Sequence, residues 1–112
     1  RVDYPACIPQ AVTIGAVDKF NNINTYSNGT PLQVDFYAPG TVKAILPGGT
    51  QTTVAGTSAS VQSAAVHWAT VKMVKPNLTY DQIYTLLKTT STLTSNAKVK
   101  NGSLINIEKA TK

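Results

Sequence analysis

Ser58 is the residue with the most chemistry open to it. It lies in Ala55-Gly56-Thr57-Ser58-Ala59-Ser60, where a glycine ends a β-prone run and hydroxyl residues open a long apolar segment. Helices favour Ser at their N-cap, so Ser58 or Ser60 is expected to cap a helix here. The same place suits a nucleophile. The first backbone N–H groups of a helix lack intrahelical partners, and the dipole favours negative charge beside them. Such a place can stabilise the oxyanion of an acyl transfer. The two roles are compatible.

A serine nucleophile needs a base, usually a histidine, oriented by a carboxylate. The chain has one histidine, His67. On a shared helix it would stand about 13 Å along the axis from Ser58, at about 1.5 Å per residue. Proton transfer needs about 3 Å. His67 is therefore excluded as the base of Ser58 within this chain, and beside Trp68 it reads as a packed helix residue. The single Cys allows no internal disulfide, and one Cys with one His cannot build a structural zinc site.

The elements that would position Ser58 follow from the pattern around it. Val12-Thr13-Ile14-Gly15-Ala16-Val17 is a short β-branched run and reads as a buried strand. Leu32-Gln33-Val34-Asp35-Phe36 alternates and reads as a second strand, stopped by Ala38-Pro39-Gly40. Between them Asn28-Gly29 is a turn signal. Thr41 to Leu46 and Thr50 to Ala55 form a hairpin about Pro47-Gly48-Gly49. Ser58 to Val74 then runs without Gly or Pro. Its apolar residues Val61, Ala64, Ala65, Val66, Trp68, Ala69, Val71, Met73 and Val74 cover most of the circumference, the mark of a buried helix. Lys75-Pro76-Asn77 ends it. Thr79 starts another helix with Gln82 as its capping-box partner and Ile83, Leu86 and Leu87 as its apolar face. Thr89 to Gly102 reads as loop, and Ser103 to Ala110 as a short closing helix.

Composition narrows the classes. An apolar fraction of 42% supplies a core and excludes a disordered tail. No apolar stretch is long enough to span a membrane. Low charge with many Thr, Ser and Asn points to an extracellular, secreted protein. Sequons stand at Asn28, Asn77 and Asn101. The net charge of +5 arises after residue 70, where seven Lys face Asp81 and Glu108. That stretch has no Arg, and its aromatics are Tyr80 and Tyr84, so it reads as a solvated lysine face and not as a nucleic-acid surface.

Several of these segments together resemble the subtilisin-like serine proteases, the subtilases. Val12-Thr13-Ile14-Gly15-Ala16-Val17-Asp18 is similar to the strand entering the family's V-G-A-V-D signature, after Tyr4-Pro5-Ala6 and Ile8-Pro9. Tyr26-Ser27-Asn28, Val34-Asp35-Phe36-Tyr37-Ala38-Pro39-Gly40 and Leu46-Pro47-Gly48-Gly49 match further motifs in order. Gly56-Thr57-Ser58 matches G-T-S, where the Ser is the nucleophile. Lys75-Pro76-Asn77-Leu78-Thr79 and Gly102-Ser103-Leu104-Ile105-Asn106 match the closing segments.

The resemblance implies an α/β fold: the C-terminal portion of a doubly wound sheet, with strands and a hairpin, then a long buried helix and two shorter helices. All 112 residues would form the C-terminal segment of one peptidase domain. The family's Asp, His and oxyanion Asn belong upstream of Arg1, and the opening residues look like a cut through a longer chain. The implied function is a serine endopeptidase to which this chain supplies Ser58, the segment alone being inactive. Its partners would be the upstream portion of the same domain and a polypeptide substrate, with no nucleic acid. Thr57 would support the oxyanion. Gly56 and Asp3 would bind substrate, an acid at Asp3 favouring Lys or Arg before the scissile bond. The chemistry would require no cofactor. A weak calcium or sodium site is implied at the carbonyls of Ala6, Ile8 and Ala11 with the carboxylate of Asp35, oxygen ligands being suited to such ions. Gln33 replaces the family's Glu there, which lowers the expected affinity.

One stretch departs from the pattern. Where the family continues with Pro, His and later Gly, this chain has Gln62, Ser63 and Val66. The alternative reading is therefore a non-catalytic subtilase-like module for binding or structure. On either reading the long helix is apolar on faces that the missing half should cover.

Overall fold

The computed structural model describes residues 2–27, 29–30 and 32–112. The β-branched run after Val12 forms strand β1 (Ile14–Val17), beginning two residues later than its pattern suggests. Gly15 sits inside it because a Cβ there would overlap the Tyr37 ring and lie 2.9 Å from Ser27 Oγ.

Strand β2 is Phe36–Pro39, not Leu32 to Phe36. The alternation of Leu32 to Asp35 imitates a strand, but the N–H groups of Gln33 and Val34 both donate to Thr30 C=O at 2.8 Å, which makes a turn. Leu32 is 99% exposed. The true strand carries Phe36, Tyr37 and Ala38 in succession, all buried. That is the continuous pattern of a parallel strand covered on both faces. Pro39 is tolerated as its last residue.

The hairpin forms as read. Strands β3 (Thr41–Ile45) and β4 (Gln51–Ala55) pair antiparallel from Thr41↔Ala55 to Ile45↔Gln51. Gly48 and Gly49 turn it at φ 92° and 90°.

Helix α1 spans Thr57–Val74. Its N-cap is Gly56, so neither Ser58 nor Ser60 caps it. The chain enters at φ 127°, ψ 172°. That conformation belongs essentially to glycine. It starts the helix one residue early and puts Ser58 second in it. Ala59, Ser60, Ala64 and Val71 are buried against the sheet. Val66 and Met73, by contrast, are 62% and 82% exposed. The all-round apolar pattern is thus covered on one side among the described residues.

Helix α2 (Tyr80–Thr89) starts with the expected capping box, Thr79 Oγ1 accepting from Gln82 N–H while Gln82 Oε1 accepts from Thr79 N–H. Ile83 and Leu87 are buried, and Leu86 is half-buried. The segment read as loop from Thr89 contains strand β5 (Thr92–Thr94), and strand β6 (Gly102–Leu104) takes its last residue and the first two of the segment read as the closing helix. The closing helix, α3, shortens to Ile107–Ala110, capped by Asn106. Three-residue strands are too short to display a period, and pairing with neighbours creates them. The sheet order is β1-β2-β6-β5, parallel through β6, with β5 antiparallel at the edge. One core packs Phe36, Ala38 and Ile105 against Val71, Ile83 and Leu87; a second, smaller one gathers Val17, Ile23, Val34, Tyr37 and Leu104. This is the mixed α/β architecture expected.

Candidate functional site

The head of α1 is built where two glycines meet. Gly56 N–H donates to Gly40 C=O at 2.8 Å, so the helix begins just beyond the C-terminal end of β2. The same carbonyl accepts from Tyr26 Oη at 3.1 Å, and Ser27 Oγ accepts from Ala16 N–H at 3.0 Å. The Tyr26-Ser27 motif therefore ties its loop to both strands; its third residue, Asn28, with that turn signal and sequon, lies outside the described residues. Asn77 and Asn101 are exposed.

Thr57 is half-buried and Ser58 exposed. The N–H groups of Ala59 and Ser60 go to Gly56 C=O at 3.1 and 3.3 Å. Those of Thr57 and Ser58 precede the helical ladder, where an oxyanion would find donors. No acidic side chain stands in the first turn to neutralise the dipole.

Thr57 and Ser58 line a cavity of about 420 Å³. Its other walls include Asp3, Tyr4, Pro5, Val12, Ile14 and Val61. The Tyr4–Pro5 peptide bond is cis. Asp3 is exposed and shares this cavity with Ser58. Gly56 adjoins it through Thr57 without lining it. His67 lies elsewhere, in a separate cavity with Asn21, Asn106 and Glu108. Its Nδ1 is buried with no hydrogen-bond partner among the described residues, and burial lowers its pKa. His67 and Ser58 are not brought together.

Ala6, Ile8, Ala11 and Asp35 do come together, around a second cavity of about 320 Å³. The oxygens of Asp35, Ala6 and Ile8 accept hydrogen bonds. Asp35 Oδ2 accepts from Thr13 N–H at 2.7 Å, and Oδ1 from Tyr84 Oη at 2.6 Å. Ala6 C=O accepts from Thr13 Oγ1 at 2.5 Å, and Ile8 C=O from Ala11 N–H at 3.0 Å. The Lys88 ammonium donates to Asp35 C=O. Gln33 adds no charge, and no group of three His, Cys, Asp or Glu residues gathers among the described residues. The set offers an ion one carboxylate, which already carries two donors, and main-chain carbonyls. Sequence reading missed Tyr84 and Lys88. Their signal was the four-residue spacing that puts both on one face of α2.

Burial pushes the Tyr84 hydroxyl up to about 12, with further upward contributions from its hydrogen bond to Asp35 and from the charges of Asp35 and Tyr80. Burial lowers the Lys88 pKa, and attraction to Asp35 acts against that.

Ser58 thus stands exposed at a glycine-led helix N-terminus, beyond a parallel strand and beside an open cleft. The chain belongs to the subtilase family, whose sequence profile covers residues 1–105. M-protease of Shouchella clausii (strain KSM-K16) is 35% identical over 99% of this chain and 29% of its own length. Subtilisin Savinase of Lederbergia lenta is 34% identical over 99% of this chain and 41% of its own. The chain thus spans well under half the length of these relatives. A cold-adapted subtilisin-like serine proteinase of known crystal structure superposes with a TM-score of 0.79 at 27% identity, over 90% of this chain and 38% of that one. MycP1 from Mycobacterium smegmatis shares the fold, with a TM-score of 0.76 at 23% identity over 97% of this chain and 32% of that one.

Proposed function

We propose that Ser58 is the nucleophile of a subtilisin-like serine endopeptidase, and that this chain is the C-terminal segment of its catalytic domain. The observation that carries the reading is the exposure of Ser58 at the head of α1, inside the cavity that Asp3 also lines. In the complete domain, Ser58 Oγ would attack a peptide carbonyl carbon while an upstream His, held by an upstream Asp, takes the hydroxyl proton. The C–N bond would then break as the amine receives that proton. Water, deprotonated by the same His, would attack the ester and release Ser58. Ser58 N–H, an upstream Asn and the Thr57 hydroxyl would bear on the oxyanion. The chemistry requires no cofactor.

Asp3 supports a preference for Lys or Arg before the scissile bond, and Gly56 brings backbone close to the substrate. The upstream portion of the domain is the partner this chain needs, because Val61, Val66 and Met73 leave α1 apolar and exposed. The 112-residue chain alone is inactive on this reading, lacking a base near Ser58. The likeness to subtilisins supports an extracellular protein acting on polypeptides, with no role in nucleic-acid binding.

A specific observation favours a second reading, a non-catalytic subtilase-like module. Gln62, Ser63 and Val66 stand where the family has Pro, His and Gly. Ser63 Oγ is spent on Ala59 C=O at 3.3 Å within the helix. Labelling of the folded full-length protein with a fluorophosphonate separates the two. Adduct mass on Ser58, absent from Ser58→Ala, is the expected result; a folded protein that takes no label would overturn the catalytic reading.

A further inference from the structure

We propose that Tyr84 is a positioning residue for the Ser58 cavity: from α2 its hydroxyl orients Asp35, and through Asp35 and Thr13 it holds the cavity wall at Ala6. The kinetic consequence rests on the reading of Ser58 as nucleophile, with the cavity taking the residue before the scissile bond.

Tyr4, Pro5 and Ala6 line that cavity from one loop. Within the loop, Cys7 N–H donates to Asp3 C=O at 3.3 Å, Ile8 N–H to Pro5 C=O at 3.0 Å, and Ala11 N–H to Ile8 C=O at 3.0 Å. These bonds shape the loop without attaching it to the sheet. Thr13, buried immediately before β1, attaches it: its Oγ1 donates to Ala6 C=O at 2.5 Å.

Thr13 is held in turn by Asp35. Asp35 Oδ2 accepts from Thr13 N–H at 2.7 Å, and Thr13 C=O accepts from the N–H groups of Asp35 and Phe36 at 2.9 and 3.2 Å. The second carboxylate oxygen, Oδ1, accepts from Tyr84 Oη at 2.6 Å. Bonds to an ionised acceptor are the strong kind, and a carboxylate held at both oxygens has one orientation. The Tyr84 ring stands edge-on to Phe36, centroids 5.1 Å apart, so the hydroxyl is itself fixed.

Strand β2 thereby carries two sides of the cavity. Gly40, just past its end, accepts from Gly56 N–H and sets Ser58; Asp35, just before its start, sets Thr13 and the Ala6 wall. Losing the Tyr84 hydroxyl should loosen that wall and leave Ser58 in place. Tyr84→Phe keeps a ring beside Phe36, and Lys88 keeps its bond to Asp35 C=O, so α2 stays docked.

Amide hydrogen exchange in the full-length protein tests this with Tyr84→Phe, Thr13→Val, the double variant and Thr13→Ser. Couplings carried by such networks predict about 2- to 30-fold faster exchange at Cys7 and Ile8 in Tyr84→Phe. Thr13→Val should also speed them, and the double variant should add nothing, because the relay is already cut. Thr13→Ser, which keeps the hydroxyl, should match wild type. Loop amides exchange through local opening, so a general loss of stability does not move them. Unchanged exchange at Cys7 and Ile8 in Tyr84→Phe would overturn the proposal, as would a full further increase in the double variant. Kinetics add a second measurement. Where wild type takes the fluorophosphonate label, Tyr84→Phe should raise KM for a substrate with Lys before the scissile bond by a similar factor at unchanged kcat. A lower kcat at unchanged KM would put the effect on Ser58 and refute a role at the wall. If wild type takes no label, the catalytic reading fails, and exchange alone decides whether Tyr84 holds the wall.

Discussion

Replacing Gly56 with Ala tests the link between backbone conformation and the nucleophile. Gly56 holds φ 127° and ψ 172°, and the nearest heavy atom to a Cβ built there is Ser58 N at 4.0 Å. No steric overlap contributes, so the whole cost is torsional. Non-glycine residues forced into this region cost about 1–3 kcal/mol. The fold has two ways to respond. If it holds the conformation, stability falls by that amount. If the backbone relaxes, Ser58 moves with it, and the same energy enters the reaction barrier as about 5- to 160-fold slower fluorophosphonate labelling. Urea unfolding and labelling rate, measured together on the full-length protein, capture both. Gly49→Ala is the control. Gly49 also has positive φ, 90°, with nothing within 4 Å, but it lies at the hairpin tip away from Ser58. That variant should lose stability at an unchanged labelling rate. A Gly56→Ala protein matching wild type in both measurements would refute the reasoning.

Two further outcomes follow from the same geometry. Tyr84→Phe removes a hydrogen bond to the Asp35 carboxylate and should cost about 1.5 kcal/mol, the low end for a charged acceptor because the pair is half-exposed. It should also change the alkaline limb. The Tyr84 hydroxyl is raised from 10.0 to about 12 in the fold. Its stabilising contribution is therefore complete below about pH 10 and lost as pH rises through about 12. Melting curves should show wild type losing stability more steeply than Tyr84→Phe across that window; Lys88 is common to both proteins and cancels in the difference. Asp3→Asn should lower kcat/KM for substrates with Lys before the scissile bond by about tenfold or more, while a Phe-bearing substrate is unaffected. An equal fall for both substrates would show that Asp3 acts on the cavity's shape and not through its charge.

Elements that declare themselves locally were legible in the sequence. The α2 capping box needs Thr79 and Gln82 alone, three positions apart, and it forms as read. The hairpin needs paired glycines that accept positive φ, and Gly48 and Gly49 supply them. Strand β2 was misplaced because Phe36, Tyr37 and Ala38 are buried on both faces and have no alternation to show, while the preceding turn happened to alternate. Strands β5 and β6 were missed because Thr92↔Leu104 pairing, and not propensity, makes them strands.

The site divides along the same line. The place of Ser58 in the first turn of α1 was readable because one short segment contains its whole requirement, a glycine for the turn and then hydroxyl residues, although the cap fell to Gly56 and not to a serine. The Asp35 cluster was not, since Tyr84 and Lys88 stand 49 and 53 residues further along the chain. A carboxylate in a loop motif reads as an ion ligand when nothing nearby balances it. What decides whether it takes an ion is the charge that folding delivers from elsewhere. Here α2 delivers a hydroxyl to the carboxylate and an ammonium to the main-chain carbonyl of the same residue.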